Sequence, residues 1–200
     1  MRKYSIVEKP FDMNFNELKE IVEKAIAQLY SQEAYLIKYG LSEWTLSAQF
    51  HYYMRTACCE KLKEYDFDSE YNLMSKIWDK GYAQKCICVN GESLRVRPDF
   101  IIHKRGDSSG NFLWVEMKRK GGAKWTKDLD RVRAVTKGCI YERGVDYVTG
   151  YAYGLGVFFR KRKVICQWYA NGNGVNRRVM AKNSSGAWEW FDGMFAVGVI

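Results

Sequence analysis

Only two of the 200 residues are proline, and only two, His51 and His103, are histidine. So little proline, beside 47% hydrophobic residues, argues against a disordered chain. So little histidine argues against a His/Cys zinc centre. The cysteines add nothing to one, because Cys58, Cys59, Cys86, Cys88, Cys139 and Cys166 contain no C-x-x-C spacing and Cys86-Ile87-Cys88 is isolated. No apolar run approaches about 18 residues, so no membrane span is expected. The opening Met1-Arg2-Lys3-Tyr4-Ser5-Ile6-Val7-Glu8-Lys9 lacks the apolar stretch of a signal peptide. These absences predict a cytoplasmic protein whose cysteines are free thiols. There is no internal repeat and no low-complexity tract.

What the chain does have is positive charge. Its formal net charge is +9 and its pI is near 9.2. A basic protein suits a polyanionic partner, since lysine and arginine neutralise phosphates and release counterions. One basic cluster runs through Arg119, Lys120, Lys124 and Lys127 to Arg131, Arg133 and Lys137. A second, Arg160-Lys161-Arg162-Lys163, falls between two apolar segments and reads first as a solvated hairpin turn. Trp125, Trp168 and Tyr169 are candidates for stacking on bases, although core packing is the default for large aromatics.

Two hundred residues suit one domain. The expected boundaries are a single domain over 1–200, with a helical extension over about 1–40 and a C-terminal extension over about 171–200. Apolar residues at Leu18, Ile21, Val22, Ala25, Ile26 and Leu29 predict a helix over Asn16 to Tyr30, capped by Asn14 or Asn16. Gly40 closes the region that follows. A second helix is expected from Ser42 to Tyr65, with Glu43 in its first turn, where the helix dipole favours an acid. A strand near 66–74, an insert, a hairpin over 95–118, a helix near 126–138 and two strands near 154–169 complete the order. Gly144 to Gly156 reads as a loop, and the tail after Asn171 as an extra hairpin. Helices interleaved with mixed strands predict α/β layers around one sheet.

The chemistry concentrates in the 95–118 hairpin. Phe112 to Lys118 is aromatic and aliphatic without a breaker, and reads as a strand. Side chains alternate along a strand, so Glu116 and Lys118 share a face about 6.6–6.8 Å apart, while Met117 packs oppositely with Leu113 and Val115. Lys104 to Asn111 is rich in turn formers. If His103 stands opposite Phe112, Asp99 stands opposite Glu116, on the same face. Pro98 donates no ladder bond and belongs at an edge or an irregular spot. His103 would share that face, and a polar hairpin end explains it better than a functional role.

Two carboxylates so placed repel unless a cation sits between them. Their hard oxygens suit Mg²⁺ or Mn²⁺, which polarises a phosphoryl oxygen and activates a water. Lys118 is placed to position that water, to help deprotonate it or to offset transition-state charge. Asp128 and Asp130 are within reach downstream, although a helix-start role accounts for Asp128.

Pro98-Asp99 followed by Glu116-Met117-Lys118 resembles the signature of the PD-(D/E)xK nuclease superfamily, the restriction-endonuclease-like fold. The resemblance covers roughly residues 42 to 169. It implies a three-layer α/β/α sandwich around a mixed central sheet, with an αβββαβ core, and Mg²⁺-dependent cleavage of phosphodiesters. It also implies that Asp99, Glu116 and the Met117 carbonyl bind the metal, that Lys118 assists the water, and that Glu43 is a further ligand. The expected partner is DNA, with RNA not excluded, contacted by Arg119, Lys120, Lys124 and Lys127. A homodimer would be a natural arrangement for cutting both strands. Two rival classes stand beside this reading. One is a catalytically silent nucleic-acid-binding module of the same fold. The other is an interaction protein, such as an inhibitor or assembly factor, that uses surface aromatics.

Overall fold

The computed structural model describes residues 13–40, 42–58, 60–73, 84–119, 123–137, 141–142, 145–146 and 150–193. The chain opens with helices α1 (Phe15–Gln32), α2 (Ala34–Tyr39) and α3 (Glu43–Cys58). Asn14 caps α1. Its Oδ1 accepts the N–H groups of Asn16 and Glu17, and Glu17 Oε2 accepts the Asn14 N–H at 2.9 Å, a reciprocal capping box. Of the expected stripe, Leu18, Val22, Ala25, Ile26 and Leu29 are buried and Ile21 is partly buried.

The expected Ser42–Tyr65 helix is shorter than its pattern. The 3.6-residue stripe of Leu46, Phe50, Met54 and Cys58 continues in phase to the buried Leu62, and no glycine or proline interrupts residues 59–65. Nothing local marks the end at Cys58, where the chain passes into turns that feed β1 (Asp66–Asp68). β1 is also shorter than the expected 66–74 strand. An isolated bridge joins Leu73 to Gln84 beyond it.

The first half of the expected 95–118 hairpin is not one continuous strand. β2 (Cys86–Val89) and β3 (Glu92–Arg95) form their own hairpin, and β4 (Phe100–His103) begins only after an irregular passage that holds Pro98. Proline has no N–H for a ladder, which fits this break. β5 (Leu113–Lys118) follows, then α4 (Ala123–Val135), the short β6 (Tyr141–Glu142) and β7 (Val145–Asp146), and β8 (Tyr153–Arg160). β9 (Lys163–Ala170), β10 (Asn173–Lys182) and β11 (Trp188–Asp192) follow. The Arg160–Lys163 run is a hairpin turn between β8 and β9, as its sequence suggested.

Seven strands form one mixed sheet in the order β1-β4-β5-β8-β9-β10-β11. Among the described residues only β5 and β8 pair in parallel, which requires the α4 crossover between them. The protein is therefore α/β, and its helix α3, sheet strands β1, β4 and β5, helix α4 and strand β8 follow the expected αβββαβ order. The tail hairpin extends this sheet, and α1 packs into the main core with α3.

Side-chain alternation divides the core. Leu113, Val115 and Met117 of β5, with Phe100 and Ile102 of β4, join a cluster containing α1 and α3 residues. Trp114 and Ile101 join a second cluster containing Val132 and Val135 of α4. Glu116 and Lys118 share the parity of Trp114 and so point toward α4. Gly154 and Gly156 let α4 approach β8. A Cβ on Gly154 would stand 2.9 Å from the Val132 carbonyl oxygen, and one on Gly156 would stand 2.5 Å from Leu129 Cδ2.

Candidate active site

β4 and β5 pair as Phe100 with Val115, Ile101 with Trp114 and Ile102 with Leu113. This is the register that the turn count predicts, and its next step puts Asp99 across from Glu116. Asp99 itself lies just before β4. Its side chain is anchored rather than free, because Oδ2 accepts the Met117 N–H at 2.5 Å. Its carbonyl accepts the Ser47 hydroxyl of α3 at 2.8 Å.

Glu116 is buried, and its Oε1 accepts the indole N–H of Trp114 at 3.0 Å. Burial pushes both carboxyls well above the ordinary carboxylate range. The nearby Asp99 charge raises Glu116 further, while the Met117 N–H and the Lys118 charge pull Asp99 only part of the way back. In these bonds each acid uses one oxygen, leaving Asp99 Oδ1 and Glu116 Oε2 outside them.

Lys118 Nζ donates to Glu43 Oε2 at 3.0 Å and lies 3.6 Å from Asp128 Oδ2. Burial opposes its charge, but the Glu43 hydrogen bond and the surrounding carboxylates outweigh that, so the lysine is held protonated above its ordinary value. Glu43 also accepts the Arg119 backbone N–H, through Oε1 at 3.1 Å. Both oxygens of Glu43 are thus engaged in holding the end of β5. As a metal ligand it would have to exchange Lys118 for the ion.

Asp128 departs from its expected role. It is the sixth residue of α4, not its cap, and it is buried facing Lys118. Its Oδ1 accepts from Arg131 at 3.0 Å, whereas its buried Oδ2 has no hydrogen-bond partner among the described residues. At 3.6 Å the Lys118 contact is an ion pair rather than a hydrogen bond. Burial raises the Asp128 carboxyl, against the pull of Lys118 and Arg131. The sequence does carry a signal for this residue. Asp128, Val132 and Val135 fall at helical spacing, so an acid stands on the apolar stripe of α4. Trp114 and Ser47, which fix Glu116 and Asp99, carry no such signal.

The other candidates are dispersed. Arg119 sends its guanidinium to the Gly40 carbonyl. Lys127 is exposed on α4, Lys124 belongs to the same helix, and Lys120 lies outside the described residues. His103 is buried, with Nε2 2.9 Å from Asp68 Oδ2, and serves β1–β4 packing. The aromatics singled out for base stacking are packed instead. Trp168 and Tyr169 are buried, and Trp125 stacks on Phe158 with ring centroids 5.3 Å apart. Cys86, Cys88 and Cys166 are free thiols, while Cys59 and Cys139 lie outside the described residues.

Among the described residues, no three His, Cys, Asp or Glu side chains are grouped to hold a metal ion. A pair of carboxylates, each using one oxygen in the hydrogen bonds among the described residues, nonetheless suits Mg²⁺, which keeps several waters and uses one or two protein carboxylates plus substrate phosphate. It does not suit a metal that requires a closed protein cage. No helix among the described residues is long and apolar enough to cross a membrane. Compared with protein-family models, with curated proteins and with solved structures, the chain matches none.

Proposed function

We propose that this protein is a Mg²⁺- or Mn²⁺-dependent endonuclease of the PD-(D/E)xK kind that hydrolyses phosphodiester bonds in DNA. In this reading α1 and α3 on one side of the sheet and α4 on the other make the three-layer α/β/α sandwich. The observation that carries the proposal is the convergence of Asp99, Glu116 and Lys118 beside α4. Two acids made uncomfortable by burial and by each other stand next to an ammonium held in place by two more acids.

Asp99 and Glu116 would hold the cation, with the Met117 carbonyl as a third donor by family resemblance. Bound there, the cation would polarise the phosphoryl oxygen and ease deprotonation of a water. The raised Lys118 favours the charged form, so its role is to orient and to offset developing negative charge rather than to act as a base. Glu43 and Asp128 keep its ammonium aimed at the site. Arg119, Lys120, Lys124 and Lys127 would meet the phosphate backbone.

The deciding experiment incubates supercoiled plasmid, single-stranded DNA and RNA with the protein in Mg²⁺ or Mn²⁺, and then in chelator. Metal-dependent cleavage by wild type, lost in Asp99→Asn and Lys118→Ala, is expected. Tight binding without any cleavage would instead favour the silent binding module.

A further inference from the structure

Alternation gives the outer strands two unlike faces. On the side of α1, Val164, Cys166 and Trp168 of β9 and Met180 of β10 are buried in the main core, and Trp188 and Trp190 of β11 pack against it. Their neighbours Ile165, Val179 and Phe191 point the other way. That is the side of α4, yet none of the three joins either apolar cluster, and Phe191 is 45% exposed. An antiparallel sheet covered on one side ordinarily turns polar residues to its open side. These three apolar side chains depart from that pattern.

Strand pairing joins them to the candidate site. Lys118 stands beside Phe158, Phe158 opposite Ile165, Ile165 opposite Val179, and Val179 opposite Phe191. The next row runs from Glu116 through Gly156 and Gln167 to Arg177. Paired residues share a face, so the face that presents Glu116 and Lys118 continues across β8 to β11. α4 covers its inner part, where Trp125 stacks on Phe158 and Leu129 closes on Gly156. At about 4.7–4.9 Å per strand, the row reaches roughly 19–20 Å from Lys118 to Phe191.

Cations border the apolar row. Arg160 and Lys163, paired beside the β8–β9 turn, flank it on one side, and Arg177 flanks it on the other. None of the three has a carboxylate partner among the described residues. The Arg160 guanidinium lies 4.7 Å from the Phe158 ring, and Arg177 Nε has no hydrogen-bond partner among those residues. Arg178 is the contrast. It points to the covered face, and Glu23 and Asp192 clasp it at 2.8 and 2.6 Å. Glu189, the acid that β11 adds to the open face, accepts from Asn183 Nδ2 at 2.5 Å. Cations therefore outnumber acids on this face, and two copies packed through it would repel.

An apolar row between unpaired cations matches an unpaired strand, whose bases offer apolar faces and whose phosphates are anionic. A duplex hides its base faces in the stack. We infer that the open face of β8–β11 binds single-stranded DNA, with bases on Ile165, Val179 and Phe191 and phosphates on Arg160, Lys163 and Arg177, and leads it past Trp125 toward Lys118. The choice of a polyanion and the direction of the strand rest on the nuclease reading. The substrate class is then unpaired DNA, including the tail of a partly paired duplex.

The test measures fluorescence anisotropy of a labelled oligodeoxynucleotide, as a single strand and as its duplex, in chelator so that nothing is cut. Wild type should bind the single strand more tightly. Phe191→Ala should weaken that complex at least about fivefold and leave duplex binding unchanged. Phe191→Tyr, which keeps the ring, should bind like wild type. Lys163→Ala and Arg177→Ala should each lower the salt slope of single-strand binding by about 0.7. Lys182→Ala, on the covered face of β10 beside Trp188, should leave that slope unchanged. Circular dichroism confirms that each variant is folded. Equal or tighter duplex binding overturns the inference, as does single-strand binding indifferent to Phe191, Lys163 and Arg177. A doubling of mass in solution that needs Phe191, with no oligonucleotide bound, overturns it in favour of a second copy. Cleavage of single-stranded DNA in Mg²⁺ that these substitutions leave untouched overturns it and spares the nuclease reading. Single-strand binding through this face without any cleavage in Mg²⁺ would sink the nuclease reading and leave this one standing.

Discussion

Asp99 accepts the backbone N–H of Met117 at 2.5 Å, although the two residues lie 18 positions apart. The bond pins the acid to the strand that presents Glu116 and Lys118. An acid that sits outside a regular strand is thereby as firmly placed as one within it. Precision of that kind is what a metal site needs from its ligands.

Replacing Asp99 with asparagine keeps an oxygen for the Met117 N–H and removes the charge. The variant should fold and melt close to wild type. Metal-dependent cleavage should fall by more than about a hundredfold. Wild type in Mg²⁺ at 100 times its Kd should gain about 2.7 kcal/mol, and Asp99→Asn should gain far less. Thermal melts with and without chelator check this, and an equal Mg²⁺ shift in both proteins would remove Asp99 from the metal site.

Metal-free stability should fall as the pH rises from weakly acidic toward mildly alkaline. Unfolded, the two acids titrate near 3.8 and 4.5, whereas in the fold Asp99 is pushed up to about 6 and Glu116 to about 8. Between those values the folded protein retains protons that the unfolded chain has released, so rising pH favours unfolding. A divalent cation competes with those protons. Its stabilising effect should therefore be larger at pH 8 than at pH 5.5, as urea melts in Mg²⁺ and in chelator would show. Glu116→Gln should flatten both trends.

Lys118→Ala leaves Asp128 buried, with Arg131 as its remaining cationic partner. Lys118 is 20% exposed and Asp128 is 5% exposed, so the loss should be below that of a fully buried pair, about 1–3 kcal/mol. In Asp128→Asn the cost of removing Lys118 should shrink, giving a positive coupling in a double-mutant cycle. Strict additivity of the two substitutions would show that the 3.6 Å contact carries no energy.

Glycines on β8 set the distance between α4 and the sheet. Gly154→Ala forces a Cβ against the Val132 carbonyl, a backbone atom that cannot swing aside, and should cost about 1–3 kcal/mol. Gly156→Ala meets the mobile end of Leu129 and the Trp125 ring at 2.8 Å, and should cost less. Urea unfolding ranks the two, and a reversed order would mean that α4 shifts freely along the sheet.

Much of this arrangement was legible in the chain. The α1 stripe, a cap narrowed to Asn14 or Asn16, the β5 strand, the β4–β5 register and the turn at 160–163 all follow from local pattern, because period, capping and turn chemistry act over a few residues. The end of α3 was not legible, since its apolar stripe continues in phase to Leu62. Nor was the separate β2–β3 hairpin within the insert, because strand pairing is decided by which edge is free rather than by the strand's own residues. The role of Asp128 was only partly legible: its helical spacing with Val132 and Val135 marks it as inward-facing but not what it meets. Its sequence neighbours suggest a helix start, and only the packing of α4 over Gly154 and Gly156 turns it toward Lys118.

By itself, the sequence determined the net charge of +9, the alternation that sets Glu116 and Lys118 on one face, and the acid and turn spacing that bring Asp99 opposite Glu116. Tertiary structure alone decided that Glu43 and Asp128 clasp the lysine, that Trp125, Trp168 and Tyr169 go into packing, and that Tyr35, Tyr39 and Trp44 are left in water. Side-chain polarity is written residue by residue. Whether a ring is buried, or an acid finds a cation, depends on which surfaces meet when distant segments pack.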